Sequence, residues 1–361
     1  MSRDLGAIVR EVEVVITAGS GGVGKTTSSA ALAVAAARAG RRVVVVTIDP
    51  AKRLADALGL GSGGLGDAPT IIEGPWPGEL WAAMLDTRAT FDALIRREAP
   101  PEQAEQIIAN RFYLNIADSL SGTQEYMAAE KLHELHGDGR FDLVVVDTPP
   151  SRNALDFIEA PHTLTRFLDH RLYRLLVAPT RRVGRALGAA ASAFVKSVSS
   201  IAGGVVVQDA IDFFRAFDGL EDGFRQRARE VSALLRDERT AVVLVTSPRR
   251  EAIDEAAWFA RALRESGLGV DGVVVNRMQP RPVDGPPDRF TTLAGAHPGS
   301  DLATLCGVLV DQCDAADREN AMLDALLHEV GDVAPTLVPE LRRDVRDLSG
   351  LEEVADHLVA D

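Results

Sequence analysis

The sequence predicts an α/β fold, a doubly wound, mainly parallel sheet carrying an inserted α-helical subdomain, and three observations carry this. Five short β-branched runs end in, or directly before, a polar residue, at Val12 to Thr17, Arg42 to Thr47, Phe141 to Val146, Ala241 to Thr246 and Val270 to Val275. Near-continuous apolar strands are what a parallel sheet covered on both faces requires. Helical stretches such as Thr26 to Ala39 and Glu251 to Ser266 lie between them, so the repeating unit is βαβ. Finally, residues 87–137 and about 152–236 show helical periodicity without convincing strands.

These intervals place the sheet frame in residues 1–86, 138–151 and 237–361, and the inserted helical subdomain in 87–137 and 152–236. Gly59 to Gly78 and Pro280 to Ser300 read as loops, the second holding five prolines. Gly184 to Gln208 is rich in Gly, Ala, Ser and Val, but Lys196 and several serines argue against a membrane span. A core or capping helix is the expectation there, with a hydrophobic client groove or a membrane-surface contact as the alternative.

Composition narrows the function classes. The 361 residues hold 53 acidic and 39 basic side chains, a formal net charge of -14, and 46% are hydrophobic, which suffices for a sizeable core. An acidic balance disfavours nucleic acid and anionic membranes, whose phosphates must be neutralised by Lys and Arg. Met1 to Glu13 carries Asp4, Glu11 and Glu13 and lacks the basic start and apolar core of a signal peptide, so a cytoplasmic location is expected. Cys306 and Cys313 are too few for a disulfide framework and do not have CxxC spacing, so they read as ordinary reduced thiols.

The first predicted strand runs directly into Gly19-Ser20-Gly21-Gly22-Val23-Gly24-Lys25-Thr26-Thr27. This satisfies GxxxxGK[ST] in its strand-to-helix context, a pattern that on the order of three chains in a thousand of this composition would show by chance. It makes the frame a sheet of the P-loop NTPase type. Glycines let consecutive backbone N–H groups turn toward a β-phosphate, and the following helix aims its positive end at the same anion. Lys25 supplies a point charge for β- and γ-oxygens, Thr26 a hydroxyl for Mg²⁺, and Thr27 a hydrogen bond to the α-phosphate. The bland alternative is a Gly-rich turn that binds nothing.

Phosphoryl transfer also needs a carboxylate near the metal and a group that orients the nucleophile. Asp147 ends the apolar run Leu143 to Val146, which places it at the carboxyl edge of the sheet, where ligands bind. It is assigned to Mg²⁺ through water, against the alternative of a helix cap. Asp49, just beyond Arg42 to Thr47, is the candidate for water activation; its alternative is an N-cap for a helix around Lys52 to Leu58.

Together the P-loop, Asp49-Pro50-Ala51 and Asp147-Thr148-Pro149-Pro150 resemble the arsenical-pump (ArsA) and tail-anchored-protein-targeting (Get) ATPase family, in the deviant Walker A branch of P-loop dimeric ATPases. Thr47 to Leu58, Gly122 to Tyr126 and Ser151 to Asp156 look most like an actinobacterial branch in which two paralogous subunits are encoded together. The resemblance implies ATP and Mg²⁺ as cofactors, Asp49 in switch I and Asp147 at the start of switch II. It matches Asn276, read as directly following the strand Val270 to Val275, to an asparagine that reads adenine, and places a loop near Pro339 against the base. Leu341-Arg342-Arg343 departs from the family's Pro-containing pattern there.

Ser20 is the most informative departure. The family's motif begins GKGGxGKT, and its first lysine reaches across a dimer to the partner's nucleotide; serine is too short and uncharged for that. A paralogous ATPase subunit that keeps the lysine is therefore the expected partner, giving an asymmetric heterodimer, with self-association as the alternative. A protein client or membrane-associated partner is also expected from the resemblance, and nucleic acid is not. The CxxC of the eukaryotic targeting members is missing, and no cysteine cluster for arsenite lies in the helical insertion.

The leading reading is an ATP-hydrolysing switch whose nucleotide state moves the helical subdomains. The alternatives are a nucleotide-binding regulatory subunit with little turnover, or a membrane-protein targeting factor. Partition and septum-positioning ATPases are disfavoured by the acidic stretch Leu351 to Asp361.

Overall fold

A computed structural model describes residues 4–49, 53–60, 64–114, 123–169, 209, 212–213, 215–217 and 219–359. Pro50, Ala51, Lys52, Gly122 and the whole stretch 184–208 lie outside the described residues.

Among the described residues eight strands form one sheet: β1 (Val14–Ala18), β2 (Arg42–Thr47), β3 (Thr70–Ile72), β4 (Glu79–Met84), β5 (Leu143–Asp147), β6 (Thr240–Thr246), β7 (Gly272–Met278) and β8 (Pro335–Pro339). Their order is β3-β4-β2-β5-β1-β6-β7-β8. The central pairs β2–β5, β5–β1, β1–β6, β6–β7 and β7–β8 are parallel, and β3 runs antiparallel to β4. In β1, β5 and β6 every residue is buried, which explains why these strands are continuous apolar runs and not alternating ones.

Among the described residues the helices are α1 (Leu5–Glu11), α2 (Lys25–Arg38), α3 (Arg53–Ala57), α4 (Thr87–Glu98), α5 (Pro101–Ile108), α6 (Thr123–Gly137), α7 (Ser151–Asp169), α8 (Glu221–Leu235), α9 (Arg250–Glu265), α10 (Asp288–Ala296), α11 (Asp301–Met322), α12 (Asp324–Val330) and α13 (Leu348–Leu358). Between Lys25 and Arg38, helix α2 is built of Ala, Ser and Thr with one Leu and one Val, and is buried almost throughout, packed on β2, β5 and α13. Small side chains let it lie close to the sheet, which fixes where its first residue, Lys25, can stand.

The chain divides into two compact units, one of Met1–Ala83, Gly139–Leu155 and Glu238–Asp361, the other of Met84–Asp138 and Asp156–Asp237. The first holds the sheet. The second is helical, with α6 packed against α4 and α8, and an aromatic series in which Phe91 meets Tyr113, Tyr113 meets Phe213, Phe213 meets Phe217 and Phe217 meets Phe224.

Several sequence expectations are corrected. Gly59 to Gly78 is not all loop, because β3 lies within it, and β4 follows at once. Pro280 to Ser300 contains α10, with Pro287 as its N-cap. The last strand, β8, was not anticipated, since prolines at both of its ends break the β-branched signature; as the sheet's edge strand it tolerates them. Pro339 accordingly ends a strand and does not sit in a loop. Strand β7 extends through Met278, so Asn276 lies inside it and not beyond it.

Candidate active site

The turn between β1 and α2 is shaped by close approaches. A Cβ on Gly19 would stand 2.1 Å from the Val245 carbonyl oxygen of β6, so a side chain is impossible there. Gly24 takes φ 94°, and a Cβ on it would meet the Asn276 amide nitrogen at 2.1 Å. Between them, Cβ atoms on Gly21 or Gly22 would point into open space. This is a cradle whose inner wall is backbone, open on the side where a phosphate would enter. Helix α2 begins at its rim with Lys25.

Lys25 is buried, and its Nζ donates to the Gly19 carbonyl at 3.3 Å. Burial lowers its pKa, while the nearby Asp147 and Asp49 oppose that shift. A partly desolvated ammonium ion with two carboxylates in its field suits an anion that can complete its coordination.

Asp147 is fully buried at the end of β5. Its Oδ2 accepts from the Thr26 hydroxyl at 2.8 Å and from the Thr47 hydroxyl at 2.9 Å, and its Oδ1 stands 3.5 Å from the Ser29 hydroxyl. The parallel register makes this meeting possible by placing Thr17 of β1 and Thr47 of β2 on either side of Asp147. Burial raises the Asp147 pKa; Lys25 and the two threonine hydroxyls act in the opposite direction. The same carboxylate thus joins the P-loop helix to the end of β2, and from there to Asp49, whose backbone N–H donates to Thr47 Oγ1 at 3.3 Å.

Behind this layer, Thr17 Oγ1 lies 2.7 Å from Ser29 Oγ and donates to the Val146 carbonyl at 3.0 Å. Thr148 donates to the Thr17 carbonyl at 2.7 Å, tying the chain after β5 to β1. The Asp49 carboxylate is about three-quarters buried and stands 3.9 Å from Arg53.

A cavity of about 1030 Å³ opens over these groups. Of the residues expected from sequence, Ser20, Gly21, Gly22, Gly24, Lys25, Thr26, Thr27, Asp49, Asn276 and Pro339 line it. Gly19 and Val23 form the turn without facing the cavity, and Asp147 lies behind Thr26. Asn276 also supports the turn, because its Nδ2 donates to the Val23 carbonyl at 2.9 Å and its Oδ1 accepts from the Arg277 N–H at 3.0 Å. One amide hydrogen and a lone pair remain for the cavity.

Sequence reasoning missed Thr47 and Ser29, the hydroxyls that hold Asp147, and the arginines Arg53, Arg277, Arg343 and Arg346 on the cavity wall. Arg53 was within reach, four residues after Asp49 in a helical stretch. The others carry no local signature.

Among the described residues no group of three or more His, Cys, Asp or Glu side chains could by itself hold a metal. The donor set still fits Mg²⁺, which keeps several waters and takes one or two protein oxygens plus substrate phosphate. Thr26 and Asp147 offer that pair beside the glycine cradle. No described helix is long and apolar enough to cross a membrane.

A parallel sheet whose first βα turn cradles phosphate, with carboxylates at the ends of two neighbouring strands, defines a P-loop nucleotide hydrolase. Residues 12–292 match the model of the anion-transporting ATPase family, and the chain belongs to it; it is an ATPase of the ArsA and Get type. Among its relatives, the ATPase GET3 of Malassezia globosa is 25% identical over 97% of this chain and 92% of its own length. An uncharacterized protein of Streptomyces coelicolor is 31% identical over 77% of this chain and 65% of its own length. A putative arsenical pump-driving ATPase of Aquifex aeolicus is 23% identical over 77% of this chain and 83% of its own.

Proposed function

We propose that this chain is a Mg²⁺-dependent ATP switch and one subunit of an asymmetric dimer. The observation that carries the reading is Asp147, a buried carboxylate bonded both to the P-loop helix through Thr26 and to the Asp49 segment through Thr47. Any ligand that draws Thr26 away from Asp147 alters the support of Thr47 and hence of Asp49.

The Gly21 to Gly24 backbone receives the β-phosphate and Lys25 leaves the Gly19 carbonyl to bridge β- and γ-oxygens. Thr26 and Asp147 would hold Mg²⁺, Thr26 directly and Asp147 through water; when bound, the ion offsets charge on the β- and γ-phosphates. Asp49 orients water in line with the γ-phosphorus and accepts its proton as the new P–O bond forms and the β,γ-bridging bond breaks, with the electron pair leaving on ADP. Loss of the γ-phosphate then removes what held the Asp49 and Asp147 segments, and the switch resets.

Ser20 favours the dimer part of the proposal. It stands buried on the cavity wall, where the resembled family has a lysine that serves the partner's nucleotide. A paralogous subunit retaining that lysine would complete this chain's site, while its own site would go without.

ATP binding by calorimetry and phosphate release, for the native chain and Asp49→Asn, each alone and mixed with the paralogue, test both parts. The expected result is intact ATP binding by Asp49→Asn with hydrolysis lost, and native hydrolysis that rises on mixing. Undiminished hydrolysis by Asp49→Asn would refute the role of Asp49. Full activity of the native chain alone would refute the asymmetric dimer.

A further inference from the structure

We infer that Arg277 is a specificity residue that lays its guanidinium against the nucleobase. The inference rests on the nucleotide reading above. Among the described residues Arg277 is the sole non-glycine with positive φ, at 63°. It sits where the β7–β8 register slips between Asn276, paired with Val338, and Met278, paired with Pro339. Arg277 is thus the extra residue at this register shift, in the left-handed conformation that favours glycine. A long side chain here is conformationally costly, and bulges beside active sites serve to re-aim a side chain.

Arg277 is aimed at the cavity. It lines the wall between Asn276, which braces the P-loop at Val23, and Pro339. Its guanidinium is exposed and makes no hydrogen bond or ion pair among the described residues, whereas Arg53 and Arg346 on the same wall stand at 3.9 Å from Asp49 and 2.8 Å from Asp344. No fold contact therefore accounts for keeping an arginine in this backbone conformation.

The surroundings select the ligand moiety. The phosphate end of the cavity has its own cation in Lys25 and its own backbone donors. Beside Arg277 the wall offers the Asn276 amide and the apolar side chains of Pro339, Leu341, Val345 and Val354, interspersed with the charged Glu340, Arg343, Asp344 and Arg346. A planar cation on such a wall suits the π-face of a base, which it meets by stacking and cation–π attraction.

The test compares ATP with inorganic tripolyphosphate, both with Mg²⁺, by calorimetry on the full chain. Arg277→Gly relieves the backbone, so its thermal midpoint should equal or exceed the native value, and loss of fold cannot explain a binding defect. The expected result is ATP affinity weakened about fivefold or more with tripolyphosphate affinity unchanged. Arg277→Lys, which keeps the charge and loses the plane, should show the same selective loss. Unchanged ATP affinity would overturn the proposal, and so would equal weakening of both ligands, which would put the guanidinium on phosphate. A native chain that binds neither ligand would instead overturn the nucleotide site itself, and this assignment with it.

Discussion

Two buried carboxylates, one in each compact unit, are held in opposite ways. Asp147, in the sheet unit, takes its hydrogen bonds from the neutral hydroxyls of Thr26, Thr47 and Ser29, with the Lys25 ammonium acting on it through its field. Glu130, on α6 of the helical unit, is answered by charge: its Oε1 accepts from Arg227 Nε at 2.8 Å and from Arg227 Nη2, and Arg97 stands at 3.6 Å. A hydroxyl shell orients a carboxylate without neutralising it, so Asp147 keeps its capacity to act on a cation. The guanidinium already neutralises Glu130, which makes that pair part of the architecture. Burial raises the pKa of both groups, so burial alone does not identify the functional one; the partners do.

The sharpest way to break this comparison is Asp147→Asn. The amide oxygen can still accept from Thr26 and Thr47, but the charge is gone, and Mg²⁺-dependent hydrolysis should fall on the order of 10²–10³-fold. Nucleotide-free stability should move the other way. The folded pKa of Asp147 is raised above its ordinary 3.8, so its contribution is fully present below that value and is lost as pH rises through the folded pKa. The asparagine variant, which cannot ionise, should therefore match the native protein in acid and exceed it increasingly toward neutral pH. Urea unfolding across that range checks the sign. A variant less stable at neutral pH would mean that Asp147 serves the fold, like Glu130.

Arg227→Met probes the other carboxylate. It leaves Glu130, 1% exposed, without its hydrogen-bonded counter-ion and with only Arg97 at 3.6 Å, and removing one partner of a buried pair costs about 3 kcal/mol or more. Because burial already holds the Glu130 carboxyl above its ordinary 4.5, the contribution of this group is present in acid and lost as pH rises through its folded pKa. The deficit of the variant should thus be largest near neutral pH and shrink as Glu130 protonates. A deficit independent of pH would assign the loss to the packing of the arginine stem.

The two carboxylates also differ in how far sequence reveals them. Asp147 follows four apolar residues at a strand end, and the P-loop announces the helix that meets it, so its position could be read before its partners were known. Thr47 and Ser29 could not, because they reach Asp147 through strand register and helix packing. The central strands were legible from their β-branched runs. Strands β3, β4 and β8 were not, the first being three residues long, the second lacking any β-branched residue and the third bracketed by prolines. Arg277 shows the same limit: nothing in Asn276-Arg277-Met278 marks a bulge, since its φ arises from the register of β7 against β8. Local pattern encodes what a strand or loop is, whereas partners brought together across 100 residues belong to the packed state.

The smallest expected effect concerns Tyr126, one turn before Glu130 on α6. Among the described residues its buried hydroxyl has no hydrogen-bond partner, nor has Glu130 Oε2, and burial followed by the Glu130 charge raises its pKa, so it is un-ionised at neutral pH. In the sheet unit the hydroxyls around the site, those of Thr17, Thr26, Thr47 and Thr148, are all bonded, although Thr246 Oγ1 at the end of β6 is buried without a partner among the described residues. An unbonded buried hydroxyl forfeits its hydration without return, so deleting it should remove a penalty and leave only a small void. Tyr126→Phe should therefore stabilise the protein by about 1 kcal/mol, read as a higher urea midpoint at unchanged slope. A loss of stability would mean that the hydroxyl has a partner in solution, with a water bridging it to Glu130 the chemically apt choice. Glu130 would then be closer to Asp147 in kind, a carboxylate partly held by neutral donors, and the contrast between the two units would narrow to the charges of Arg227 and Arg97.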